Sequence, residues 1–358
     1  MEEEVPGNLT PLESLDLGAV TGFADLLRRM GKAAFGARDL GHAFDVLKTM
    51  VADSDCTIVV TLSGAMTVAK MGNVLCAMID GGMAHLVVST GALIAHGLSE
   101  AIGGSHLKCD RRMSDRTLYE SGYHRVYDSL ETDANLHSVE MLVSDALGTL
   151  DLWNPWCSFQ LNHAIGKRLV ESGHMPSILG CAYDKGVPVY VPAFTDSELG
   201  LAVAAHAFAS ARVPENEPNI DELVSRVPAF NPYLDLYDFA LRLVRARRLG
   251  ILTIGGGVPR NWGQQIGPFI DAVNERLDAH FPVPRARYGV RICPEPDFWG
   301  GLSGATYAEG VSWGKFVPVE DGGLFAEVHC DATIAWPLLI LAALESRGMR
   351  AEVGAVGG

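Results

Sequence analysis

Among the residues able to bond covalently to a substrate, one lysine stands in unusual company. The stretch "EGVSWGKFVP" (309–318) sets Lys315 between Trp313-Gly314 and an apolar run, Phe316-Val317, that ends in Pro318. Two chemistries follow. At a solvated strand edge the lysine stem would lie along the Trp313 indole and the amine would stay charged. Removed from water, its pKa would fall, and the neutral amine could form a Schiff base with an imine or carbonyl carbon. Glu309, six residues earlier, is a carboxylate that could move a proton beside it. The decamer alone leaves both readings open.

A second set of chemically capable residues lies in the turns "TLSG", "STGA", "FTDSELG", "IGGG" and "CDAT". Small residues let a backbone approach a phosphate, hydroxyls can bond it, and Asp196 or Asp331 could take a ribose hydroxyl. The same residue types also build tight turns and helix N-caps with no ligand at all. Any one turn is read that way; five along one sheet edge argue for a nucleotide cleft. The GxGxxG fingerprint is missing, since "GGGVPRNWG" lacks its spacing, so an ordinary dinucleotide-binding dehydrogenase is not supported.

These turns need elements to hold them. Five β-rich runs each end in small or polar residues and lead into a helical pattern: 57–66, 84–93, 187–200, 251–262 and 326–339. Continuous apolar strands alternating with helices predict an α/β fold, a Rossmann-like doubly wound, mainly parallel sheet with helices on both faces. "FADLLRRMGKAAF" and "NHAIGKRLVESG" supply apolar helical stripes. The proline- and charge-rich 211–232 reads as an excursion before the next helix. The expected organisation is one domain over 21–350, a peripheral N-terminal segment (1–20) and a flexible tail (351–358).

Composition limits the function. The 358 residues are 48% apolar and 20% charged, with a net charge of −15. That charge argues against a nucleic-acid partner, because a phosphate backbone requires a basic face. It is compatible with a cationic substrate. Seven cysteines without a CxxC pair read as reduced thiols in the cytoplasm. The eleven histidines show no ligand spacing, so no metal site is expected. The acidic start "MEEEVPGNLT" is no signal peptide, and no apolar stretch reaches membrane-spanning length.

The ordered set "LSGAMT" (62–67), "STGA" (89–92), "PAFTDSELG" (192–200), "GGGVPRNW" (255–262), "GGLSGAT" (300–306), "SWGK" (312–315) and "CDATIAWPLL" (330–339) resembles the deoxyhypusine synthase family. It is most similar to that family's bacterial branch of deoxyhypusine synthase-like and homospermidine synthase-like proteins. The resemblance implies NAD as a catalytic hydride carrier, an active-site lysine that holds a four-carbon amine as an imine, and transfer of that amine to an acceptor. It implies a polyamine-type substrate and a homo-oligomer, dimer or tetramer, with sites between subunits and an N-terminal segment able to cover a neighbour's entrance. By the same resemblance Lys315 is the imine-forming lysine, Trp313 flanks the substrate and Glu309 lies near the amine. Ser63, Gly64, Ser89, Thr90, Gly91, Asp196, Gly255, Gly256, Gly257, Gly300 and Asp331 fall where the cofactor lies. His96, Glu198, Asn261 and Leu302 stand at or beside substrate positions. There this chain departs from the family: Ala95 and His96 replace paired glutamates, Leu201 and Leu302 replace aspartates, and Asn261 replaces a histidine. The losses imply an altered donor and a small amine as acceptor. A protein-lysine acceptor or an idle NAD-binding scaffold are the alternatives, and His96 is read as filling space.

Overall fold

The computed structural model describes residues 9–110, 112–152, 154–211 and 229–349. The run Cys56–Leu62, rich in β-branched residues, forms β1, the first strand of a six-stranded sheet. The other members are β2 (Leu86–Ser89), β6 (Val189–Tyr190), β7 (Arg248–Ile254), β8 (Ala286–Ile292) and β9 (Leu324–Val328). Every pair is parallel, in the order β6-β2-β1-β7-β8-β9. The chain starts at the centre, moves outward to β6, then returns to the other side of β1 and moves outward again. The switch point therefore lies between the carboxyl ends of β1 and β7, where an open α/β sheet binds its ligand.

The expected strands are all present, shorter than the runs that predicted them. One was missed. β8 reads "ARYGVRI", and arginines at 285, 287 and 291 hide its apolar pattern. A small antiparallel sheet was missed as well: β3 (Leu107–Lys108), β5 (Ser129–Thr132) and β4 (Tyr123–Val126), in that order.

β1 is buried almost throughout, and its side chains alternate between two cores. Ile58, Val60 and Leu62 face a large core with α1 (Phe23–Met30), α2 (Phe35–Ala52), α3 (Gly72–Asp80) and α4 (Gly91–Ala101). α6 (Asp133–Leu147), α7 (Ser158–Glu171), α8 (Ile178–Lys185), α9 (Glu198–Ala211) and α14 (Ala332–Ser346) contribute to the same core. Val59 faces a second core with α10 (Pro232–Val244), α12 (Ile266–Leu277), Tyr307 and Phe316. The sheet is thus covered on both faces, as its apolar strands require. Two short helices complete the site region: α11 (Gly257–Gln264) and α13 (Tyr307–Ser312); α5 (Asp115–Glu120) flanks the small sheet. Among the described residues no helix is long and apolar enough to cross a membrane.

Residues 9–20 run along the surface, with Leu9, Leu12 and Leu17 exposed and Glu13 paired with Lys32 at 3.0 Å. The expected tail (351–358) and most of the excursion (211–232) lie outside the described residues.

α1 and α2 meet at glycines. A Cβ on Gly41 would sit 2.3 Å from the Gly31 nitrogen and 2.6 Å from the Leu27 carbonyl oxygen. These are backbone atoms, so relief requires moving a helix. Gly41→Ala should lower stability by ~1–3 kcal/mol, the overpacking cost outweighing the gain in helix propensity. A urea midpoint equal to or above wild type would refute it.

Candidate active site

The turn carrying Lys315 is built by its neighbours. Thr306 caps α13, its hydroxyl accepting from the Glu309 N–H at 3.1 Å. Gly314 then turns the chain at φ +69°, a conformation that glycine adopts without strain. The Lys315 N–H donates to the Gly310 carbonyl, and its own carbonyl accepts from the Ala286 N–H, each at 3.0 Å. Next to it Phe316 is buried edge-to-face against Tyr307 and Phe325. The backbone of Lys315 is thus fixed, and its half-buried side chain reaches α11, where Nζ donates to Asn261 Oδ1 at 3.1 Å.

That partner is neutral. Burial lowers the Lys315 pKa, the positive charge of Arg260 lowers it further, and Glu309 opposes them. Arg260, which sequence reasoning missed, is 2% exposed and donates to the carbonyls of Leu302, Ser303 and Ala305. Beside it Arg291, also buried, pairs with Glu327, whose other oxygen accepts from the Tyr307 N–H at 2.9 Å. The available signal was Arg260's place in "GGGVPRNW", one residue before Asn261 in a short helix entered through three glycines.

Ser89 ends β2, and Asp196, Gly256 and Asp331 follow the carboxyl ends of other parallel strands, so they share one sheet edge. At the switch point the Ser63 hydroxyl accepts from the Gly256 N–H at 2.8 Å, and the Ser303 hydroxyl from the Gly257 N–H at 3.0 Å. A Cβ on Gly255 would strike Ser63, one on Gly256 would strike Ser303, and one on Gly91 would strike Ser197. These three glycines serve packing between turns. Gly64, Gly257 and Gly300 have positive φ, with no backbone near their Cβ positions, so no main chain crowds that side of them.

Other candidates are engaged by the chain itself. Ser89 is buried and donates to the Thr90 carbonyl; Thr90 caps α4 and donates to the Gly64 carbonyl at 2.8 Å. Asp331 caps α14 through the Thr333 N–H, and Asp196 is exposed in a 3₁₀ turn.

The substrate positions divide. Asn261 touches Lys315, and the carbonyl of Leu302 touches Arg260 while its side chain stays 47% exposed. Glu198 opens α9, with Oε2 buried and no hydrogen-bond partner among the described residues. His96 does more than fill space: it is buried and its Nδ1 lies 3.1 Å from Glu131 Oε2. Trp313 and Glu309 are exposed.

One loop, 300–306, joins the two halves of the site. Ser303 closes on the glycines of the cleft, and the Leu302, Ser303 and Ala305 carbonyls hold Arg260 next to the helix residue that binds Lys315. The arrangement lowers the pKa of a lysine amine within the field of a carboxylate, next to a sheet edge where helices begin.

A model of the deoxyhypusine synthase family matches residues 25–343. The curated relatives include "Probable deoxyhypusine synthase 2" of Archaeoglobus fulgidus, 30% identical, covering 87% of this chain and 94% of the relative. Another is "Deoxyhypusine synthase-like protein" of Chlorobaculum parvum, 29% identical over 88% of this chain and 84% of the relative. A crystal structure bearing the deoxyhypusine synthase name, from Entamoeba histolytica, superposes with a TM-score of 0.57 at 13% identity. It covers 95% of this chain and 98% of that one, a likeness of fold. With its family model spanning most of the chain and relatives matched nearly end to end, this protein belongs to the deoxyhypusine synthase family.

Proposed function

We propose that the protein is an NAD-dependent aminoalkyl transferase that carries a four-carbon amine on Lys315 and delivers it to a small amine, in the manner of a homospermidine synthase. The observation that carries this reading is the Lys315 amine itself: half-buried, lowered in pKa, and held by a neutral amide instead of a carboxylate. A lysine kept for charge would be matched with an anion; one kept for nucleophilic attack must give up its proton.

The sheet edge suits the cofactor. Gly64 and Gly257 leave space on their Cβ sides at the switch point, and α4, α11 and α14 begin along the same edge. NAD bound there would supply a reversible hydride acceptor. The chain's own residues do the rest. The neutral Lys315 amine attacks the imine carbon of an oxidised donor; the bond from that carbon to the leaving amine breaks, and the amine departs with a proton. Glu309, whose charge acts on Lys315, holds and returns protons in that exchange. An acceptor amine then attacks the lysine-bound imine carbon and frees Lys315.

The donor follows from what lines the site. Asn261 and Leu302 present an amide and an apolar side chain where a second ammonium would need a carboxylate. The exposed apolar side chains of Val258, Phe298, Trp299, Leu302 and Trp313 around this site support a homo-oligomer that covers it. Seven free thiols, six of them buried, support a reducing, cytoplasmic setting. A second reading, modification of a protein lysine, draws on the same exposure, since an open rim admits a polypeptide.

Purified protein with NAD should be given spermidine, putrescine and agmatine, singly and in pairs, and the products identified by mass. A product joining two of these amines supports the proposal. Absence of any transfer product, or transfer only to a lysine of an added translation factor, would overturn it.

A further inference from the structure

We propose that His96, His106 and Glu131 form a binding site for one divalent transition-metal ion, with zinc the best match. It draws on side chains that the mechanism above does not use. His96 is on α4, His106 precedes β3, and Glu131 is on β5, so only the docking of the small sheet against α4 assembles them.

The donor set and its geometry both point to a metal. His96 Nδ1 lies 3.1 Å and His106 Nε2 2.9 Å from the same oxygen, Glu131 Oε2, and the three ligand atoms fall within 4.8 Å of one another. Zinc bonds of 2.0–2.1 Å place tetrahedral ligands about 3.3 Å apart. Widening two contacts by a few tenths of an ångström and closing the third would seat the ion. Two imidazoles and a carboxylate would leave a fourth position open, as zinc sites with three protein ligands do.

The outer contacts are already in place. Glu131 Oε1 accepts from Asn135 Nδ2 at 2.6 Å and from the Thr132 N–H at 3.0 Å, which turns Oε2 toward the imidazoles. The side chains are 8%, 2% and 0% exposed for His96, His106 and Glu131. A buried carboxylate between two histidines needs positive charge, and a dication supplies it. Lys70 Nζ is 3.0 Å from His106 Nδ1 and 3.3 Å from Glu100. With metal on Nε2, Nδ1 carries the ring proton, and Lys70 shifts wholly to the Glu100 it already touches.

The test uses the full chain, stripped with a chelator, reconstituted with zinc, desalted and assayed by elemental mass spectrometry. About one zinc per chain is expected. Because the cysteines could also take zinc, cobalt(II) is the second probe: bound here it should show ligand-field bands without a thiolate charge-transfer band. Asn135→Ala, which removes the outer contact to Glu131 and one to the Ser105 carbonyl but no ligand, should weaken binding by ~10–100-fold. His96→Gln/His106→Gln should abolish it. Less than roughly 0.1 zinc per wild-type chain would overturn the proposal, as would a thiolate–cobalt band or a folded double variant that keeps its metal. Should the double variant not fold, the wild-type stoichiometry and the cobalt spectrum decide the matter alone.

Discussion

Lys315→Arg should fold, assemble and bind NAD, yet lose transfer to any acceptor by at least ~10³-fold, the scale of removing a nucleophile. Arginine keeps the charge and can still donate to Asn261 Oδ1, but a guanidinium is not deprotonated in proteins and forms no imine. Borohydride added during turnover should trap the donor's carbon chain on residue 315 of the wild type, seen as a mass adduct. The capture step should also rise with pH, because the neutral amine is the reactive form. Burial and then Arg260 set that rise below the ordinary lysine pKa of 10.5. Exposed Glu309 works in the opposite direction, so Glu309→Gln should move the rise to lower pH whatever it does to the maximum rate. Undiminished transfer in Lys315→Arg, or an adduct on another lysine, would return "EGVSWGKFVP" to its surface reading.

Glu327→Ala should be the most destabilising single change in this region, costing ~3–5 kcal/mol. Arg291 is 1% exposed, and Glu327 is its salt-bridge partner; the Ser303 and Ala305 carbonyls take its remaining bonds. Removing the carboxylate strands a buried guanidinium and leaves the Tyr307 N–H without its acceptor. Breaking a buried pair costs more than the pair contributes, because the remaining charge has nowhere to be solvated. Tyr307 starts α13 and Ser303 touches the cleft glycines, so the loss should extend to the loop that positions Arg260. Glu327→Gln, which can still accept a hydrogen bond, should recover part of the stability. A urea-unfolding loss under ~1 kcal/mol for Glu327→Ala would show that the pair is not what holds this face together.

Which parts of this protein its sequence determines can be seen strand by strand. β1, β2, β7 and β9 are apolar runs ending in small residues, and such runs have one stable use, inside a covered parallel sheet. Their order along the chain was enough to place the turns on one edge. β8 was hidden because Arg291 counts as polar in any local window; it is buried only because Glu327, 36 residues away in sequence, comes beside it on β9.

The site divides the same way. That Lys315 is out of place among aromatic neighbours is legible from ten residues. Whether its amine meets a carboxylate, water or an amide depends on Asn261, 54 positions earlier, and on a buried arginine beside it. Ser63 and Thr90 could be recognised as strand-end hydroxyls, but their partners Gly256 and Gly64 belong to other turns, which only packing brings near. His96, His106 and Glu131 show no ligand spacing, yet they meet within hydrogen-bond reach. Sequence alone determined the element types and their polarity, because backbone propensity and hydrophobic period are local. Tertiary structure decided the partners of Lys315, Arg291 and His96, because those depend on distances between residues that the chain separates and the fold brings together.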